Sequence, residues 1–592
     1  MNPQAEISNE VLLAIKAQEL AKSQTVSNCP PAQIPLLNAL PKIPKWLEQA
    51  KLLFNTRDVN TAKVAEWVYD NSYVVDRAIT QIQIDMPTSY YRLLPSLKNT
   101  SGQSLPRAYS LASGLLAATG IQLSLNFLVK FVKGYQQETT LNISELWALP
   151  TLLRLVCIQL IVEAVDNIVP ELTVPYSRDN ISQPLMVSRD EIDYLSRAIH
   201  CLSVIETIPW RKFFEQVSVV EEKLRHEPAD IYQSLDFDSR DRYCKVIENL
   251  ARATTHDEAH IAERAVALAC CESANGERYS HVGYWLVDEG LMALENDLGY
   301  QVSWWQSFQR FCGKFSSVLY LLALAFSLIL AEVVVVVYLY QNEAQALTYF
   351  VGVALTLIPA SMLSIAIINW LITLIWPSRI LNKLDFDQRI DPQYKTAVVI
   401  PSMLSSDSDI DTLLKQIELH YLSNSDPALR FVLLTDYLDA QVQSIASDAD
   451  YLNRVTQGVR ALNNKYGASN IGPFHLLHRE RRYNRSENCW MGWERKRGKL
   501  SDFNHFLSDK NCEAIFVHEG ELLGLNDIRY VITLDSDTQL CRGAAAKLIG
   551  TLAHPLNRAV FDDKTSKVIA GYTIIQPRIE IAPTMHRHTW FT

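Results

Sequence analysis

The sequence predicts three regions of different fold class: an α-helical N-terminal region (1–306), a transmembrane helical hairpin (307–380) and an α/β domain built on a parallel sheet (381–592). Three observations predict it. Apolar residues recur at three- and four-residue spacing through the first half. Two long apolar runs follow, one with a single acid and one with no charge. Beyond residue 390, short β-branched runs alternate with helical patterns.

A chain of 592 residues is too long for one domain, and 48% hydrophobic against 20% charged residues is enough to bury cores. The net charge of −10 excludes general nucleic-acid binding. Ten scattered cysteines, with no CxxC pair, fit a reducing compartment better than a disulfide framework or a zinc site. The start, "MNPQAEISNE", has no basic n-region and no apolar signal core, so nothing there is expected to export the chain.

In the first region, "ISELWALPTLLRLVCIQLIVEAV" and "RDRYCKVIENLARATTHDEAHIAERAVALACC" carry the helical period with charges between apolar positions. Residues 27–44, "SNCPPAQIPLLNALPKIP", read as a Pro-rich connector. The expected role is packing or regulation rather than catalysis. "HDEAH" at 256–260 spaces His256 and His260 one turn apart, as in a zinc-protease helix. The residue after the first His is Asp257 where that motif has Glu, so an ordinary amphipathic helix is the expectation.

Residues 315–340 are apolar except for Glu332 and a few hydroxyls, and 348–376 hold no charge. Each exceeds the roughly 20 residues that cross a bilayer. Their link, "QNEAQAL", has no Lys or Arg, whereas Arg310 and Lys314 precede the pair and Arg379, Lys383 and Arg389 follow it. The positive-inside rule then places both ends in the cytoplasm. Pro359 and Asn369 need a neighbouring helix to satisfy freed or polar groups. Glu332 should face protein, be protonated or sit near an interface.

"YKTAVVIPSM", "LRFVLLTDY" and "IRYVITLDSD" are the expected strands, separated by the helical stretches "DIDTLLKQIELHYL" and "AQVQSIASDADYLNRVTQGVRALNNKY". Ligands of such sheets bind beyond the strands' carboxyl ends. Pro401, Ser402, Asp436, Asp535 and Asp537 would gather there. Two acids at i and i+2 on a strand point the same way, with Ser536 facing elsewhere, and their repulsion is relieved by a cation. Mg²⁺ or Mn²⁺ suits such oxygen ligands and leaves positions for phosphate. The alternative is that one of the pair caps the helix "RGAAAKLIGTLA".

A second constellation, 479–500, holds eight basic residues against three acids. Within it, Lys496, Arg497, Gly498 and Lys499 form a turn in which glycine lets the backbone approach a phosphate that the cations neutralise. A solvated loop or a membrane-surface patch is the alternative. Asp436 can accept hydrogen bonds from a nucleobase or ribose, or can serve a turn.

The order Asp436, Lys-Arg-Gly-Lys, Asp-Ser-Asp resembles processive family 2-like glycosyltransferases of GT-A fold. It is similar above all to cyclic β-1,2-glucan synthases, the family 84 glycosyltransferases of bacterial inner membranes. "WMGWERKRGKL", "VITLDSDTQLCRGAAAKLIGTLAHPLNR", "GYTIIQPRI", "LIPASMLSIAIINWLITLIWPSRILNKLDF", "HVGYWLVDEG" and "FFEQVSVVEEKLRHEPADIY" carry the resemblance, which runs from about residue 60 onward. It implies a partial GT-A-like domain in which Asp535 and Asp537 hold the metal and the UDP-glucose diphosphate. Lys496 to Lys499 would line the phosphates, Asp436 would hold uridine, and Pro401–Ser402 would shape the first nucleotide loop. Glucose would pass with inversion to the 2-hydroxyl of a growing glucan.

The resemblance also implies that the general base, further spans and a carbohydrate-active module lie beyond position 592, in the same polypeptide or in a partner polypeptide. An inactive membrane scaffold is the alternative to a working enzyme. A haloacid-dehalogenase-like phosphatase also begins with Asp-x-Asp, but that motif opens its domain and carries Thr or Val where this chain has Gln539.

Overall fold

The computed structural model describes residues 3–27, 29–54, 68, 70–98, 104–176, 191–376, 378–467, 472–508 and 516–580. The chain forms two compact units, Met1–Gln233 with Arg240–Gly299 and Ser234–Ser239 with Tyr300–Thr592.

The first unit is helical. Its centre is the Ile143–Ile168 helix, 20 of whose 26 residues are buried. The sequence reads as amphipathic, yet the helix is enclosed, because Arg107–Thr119, Glu191–Thr207 and Ser72–Asp85 pack around it. Its start is fixed by a capping box, in which the Asn142 N–H donates to Glu145 Oε2 at 3.0 Å. Glu145 also accepts from Arg107 Nε at 2.7 Å, so the buried guanidinium and carboxylate neutralise each other. The stretch 27–44 is not wholly a connector. Helix begins at Pro35, a position where a missing N–H is harmless.

In the same unit, "HDEAH" straddles a helix start. Asp257 is the N-cap of Glu258–Cys271 and accepts the His260 N–H at 2.8 Å, which leaves His256 outside the helix. Among the described residues no group of three metal-ligating side chains forms, here or elsewhere.

Among the described residues, three helices are long and apolar enough to cross a membrane. Ile143–Ile168 is the buried one; Ser316–Gln341 and Ala346–Ile375 in the second unit expose their apolar side chains. The latter two run antiparallel and are bridged at three levels. Tyr320 donates to Asn369 Oδ1 at 3.1 Å, Ser327 Oγ bonds Ser364 Oγ at 3.1 Å, and Thr356 donates to Glu332 Oε2 at 2.9 Å. Glu332 and Asn369 therefore each point at the neighbouring helix, where Glu332 Oε2 and Asn369 Oδ1 accept hydrogen bonds, while Glu332 Oε1 has no partner among the described residues.

The rest of the second unit is built on a five-stranded sheet. Its strands are β1 (Thr396–Leu404), β2 (Leu429–Tyr437), β3 (Phe474–Arg479), β4 (Phe516–Glu519) and β5 (Tyr530–Thr533), in the order β4-β3-β2-β1-β5. Four strands are parallel, and β4 pairs antiparallel with β3 at the edge. The β-branched and aromatic runs form β1, β2 and β5 as the sequence indicates, and β3 is an additional buried parallel strand. The second expected helix is shorter than its string, beginning at Asp448 after a turn. Chain order runs outward from β1 to β3 and returns to the other side of β1 at β5. The resulting switch point opens a crevice at the carboxyl ends of β1 and β5.

Candidate functional site

A cleft of about 520 Å³ lies at those carboxyl ends. Pro401 and Ser402 from β1, Asp436 from β2, Lys496 and Lys499 from the Arg495–Ser508 helix, and Ser536 from the loop after β5 all line it. Asp409 and Gln416, from the Asp407–Ser423 helix, form part of the wall and were not singled out from sequence.

Asp436 is 2% exposed, and a carboxylate so deep needs compensating charge. β-Sheet register supplies it, since Asp436 lies directly opposite Arg479 at the ends of β2 and β3. Arg479 donates Nε to Oδ1 at 2.9 Å and Nη2 to Oδ2 at 2.8 Å, a two-pronged contact that fixes the carboxylate plane. The same guanidinium reaches Asp502 at 2.5 Å and the carbonyls of Trp493 and Arg495 at 3.2 Å each. Gly492 lies over this pair, where a Cβ would overlap Asp436 Oδ2.

Lys499 is also 2% exposed. Its ammonium is 3.2 Å from Asp436 Oδ2 and bonds the Ser402 carbonyl. Burial pushes its pKa down, against the pull of Asp436. Lys499 thus braces Asp436 and β1 from inside. Lys496 is half exposed and pairs with Asp535 across the cleft mouth. Arg497 points outward, 3.8 Å from Glu494.

Gly498 is closely packed. It is buried in the first turn of the Arg495–Ser508 helix, and a Cβ there would collide with the Trp493 carbonyl. The turn expected over Lys496–Lys499 is thus a helix start, entered through Glu494 and Arg495 at φ 52° and 45°. Its first turn carries cations and no acid, the reverse of what a helix dipole favours in isolation. The basic tract as a whole is divided. Arg479 and Arg481 are buried, and Arg481 bonds Asp448 Oδ1 at 3.0 Å, so these two are occupied internally.

Asp535 and Asp537 lie beyond β5 rather than on it. The strand ends at Thr533, and the Thr538 N–H bonds the Asp535 carbonyl at 3.0 Å to close a turn. Alternation along a strand therefore does not govern them, and Ser536 is the residue of the three that lines the cleft. Both carboxylates are exposed. Neither caps the next helix, Ala544–Ala553, whose N-cap is Gly543 without a side-chain bond.

Asp502 had no role in the sequence reading, and Arg479 figured there only as one of the eight basic residues of 479–500. The signal for Arg479 was the short run Phe474–His478, with Phe474, Leu476 and Leu477 apolar, after Gly472–Pro473, which marks a strand ending on a cation.

No known family profile matches the chain. Among curated proteins, it is 31% identical to the cyclic β-(1,2)-glucan synthase NdvB of Rhizobium meliloti (strain 1021), over an alignment of 590 positions. That alignment takes in 87% of this chain and spans 20% of the relative, so the chain covers about a fifth of the relative's length. With most of its own length aligned in this way, the chain is similar to part of a cyclic β-(1,2)-glucan synthase.

Proposed function

We propose that the second unit binds the donor of a membrane β-1,2-glucan synthase, UDP-glucose, and presents its anomeric carbon to a growing glucan for inverting transfer. The observation that carries this reading is the convergence of Pro401, Ser402, Asp436 and Lys496 on one cleft at the sheet's switch point. Asp436 keeps acceptor capacity on Oδ1, which receives one bond among the described residues, and this suits a uracil or ribose donor group. Lys496 and the N–H groups of its helix start suit the diphosphate.

Asp535 and Asp537 would hold Mg²⁺ or Mn²⁺. Two exposed carboxylates with oxygen-only chemistry fit a hard cation that takes its remaining ligands from water and phosphate. When bound, the ion would neutralise the leaving diphosphate. Lys496 occupies Asp535 in the free protein and would be released to phosphate on donor entry. The exposed apolar helix pair would cross the bacterial inner membrane with both units cytoplasmic. The general base and acceptor channel would come from a further segment or a partner polypeptide.

Calorimetric titration of the purified chain with UDP-glucose, with and without Mn²⁺, tests the reading. Binding that needs Mn²⁺ and disappears in Asp535→Asn/Asp537→Asn is expected. Metal-independent binding that survives the double substitution refutes the metal role, and no binding of any uridine nucleotide refutes the donor site.

A further inference from the structure

One wall of the cleft, the face of the Asp407–Ser423 helix, has no part in holding the nucleotide as described above. Asp409, Thr412 and Gln416 recur there at intervals of three and four residues, which puts them on one stripe about 10 Å long. Leu413, 4% exposed, forms an apolar floor between them. Asp409 Oδ2 accepts from the Ser406 hydroxyl at 2.7 Å and from Ser405, and these two donors hold its carboxyl below the ordinary value. Its Oδ1 receives nothing among the described residues. Thr412 donates to the Ser408 carbonyl at 2.8 Å, so its hydroxyl proton is spent and its lone pairs remain. The half-buried Gln416 amide bonds to nothing among the described residues.

We propose that this stripe holds the hexosyl group of the donor, with Asp409, Thr412 and Gln416 bonding its hydroxyls. The proposal rests on the reading that the cleft binds UDP-glucose. Charge separates the two ends of such a ligand. An ionised Asp409 repels a diphosphate, which belongs instead with Lys496 on the Arg495–Ser508 helix. Hydrogen-bond polarity then separates sugar from base. Asp409 and Thr412 offer acceptors, whereas the uracil edge carries two carbonyl oxygens and a single N–H. A hexose hydroxyl can donate to either residue, and the Gln416 amide can both give to and take from neighbouring hydroxyls. Ribose is also a polyol, but Asp436 at the end of β2 serves the nucleoside, so the hexosyl group is what remains for this wall. Leu413 gives its C–H face an apolar surface to rest on.

Calorimetric titration of the full detergent-solubilised chain with UDP-glucose and with UDP, both in Mn²⁺, separates the sugar from the nucleotide. Gln416→Met and Asp409→Asn should each weaken UDP-glucose about three- to tenfold and leave UDP unweakened. Retained UDP binding shows that a variant is folded, and two independent variants keep the test decisive should either fail to fold. Equal weakening of UDP and UDP-glucose in folded variants, as judged by an unchanged Tm, overturns the proposal, since the wall would then hold the nucleotide. Unchanged affinity for both ligands in both variants overturns it too. Either result leaves the donor site standing. A parent chain that binds no uridine nucleotide overturns the donor reading, and this proposal with it.

Discussion

Replacing Arg479 by leucine should unfold the second unit far more readily than any change at the cleft mouth. Four charged groups meet there: Arg479 and Lys499 against Asp436 and Asp502, which sum to zero. Arg479→Leu leaves a net charge of −1, with Asp436 held only by Lys499 and the carbonyls of Trp493 and Arg495 deprived of their donor. Breaking a buried pair from one side costs about 3–5 kcal/mol. For a unit of this size, with an unfolding entropy of about 2.1 cal/mol/K per residue, that corresponds to a fall of roughly 5–8 °C in Tm. Differential scanning calorimetry of the detergent-solubilised chain measures it. Arg479→Leu combined with Asp436→Asn should recover part of the loss, and only part, because Lys499 then keeps a single partner, the Ser402 carbonyl. A single variant within about 1 kcal/mol of the parent, or a double variant that is strictly additive, would refute the reasoning that these charges form one buried network.

Other consequences concern titration and close packing. Burial holds the His475 imidazole down at about 4, below the ordinary 6.5. The unfolded chain therefore takes up the proton first as pH falls, and stability should drop by about 3 kcal/mol between pH 6.5 and 4; His475→Leu should remove that component from urea titrations at each pH. Burial raises the Glu258 carboxyl from 4.5 to about 8, so its contribution is lost as pH rises through that interval. Glu258→Gln, which keeps an acceptor for the Ile143 N–H, should be more stable than the parent at pH 8 and no more stable at pH 4. Gly498→Ala should cost about 1–3 kcal/mol by overpacking against the Trp493 carbonyl, read as a lower urea midpoint; an unchanged midpoint would show that the helix start yields without strain.

Much of this arrangement is legible in the chain because it rests on local patterns. The uncharged runs, the β-branched strands and the alternation with helices each stand on periodicity within a short window, and they placed Pro401, Ser402, Asp436, Lys496 and Lys499 around one cleft. What escaped depends on register between distant segments. That Arg479 faces Asp436 follows from the pairing of β2 with β3, which no spacing along the chain encodes. For the same reason the contacts of Lys499 with Asp436 and the Ser402 carbonyl were not legible. The acid pair was misplaced by a few residues because β5 stops at Thr533, and strand ends are the least certain feature of such patterns. Ile143–Ile168 shows the opposite limit, since composition cannot tell a helix wrapped by protein from one wrapped by lipid.

The three bridges between the long apolar helices act together as a ratchet stop. Tyr320–Asn369, Ser327–Ser364 and Glu332–Thr356 sit at different heights, so sliding one helix past the other by a single turn would break all three at once. In an environment without water no substitute partners would await those groups. Any movement between the sheet and the surroundings of the helices must then be absorbed where the pair ends, at Phe315 and at Trp376, and the pair itself travels as one stiff rod.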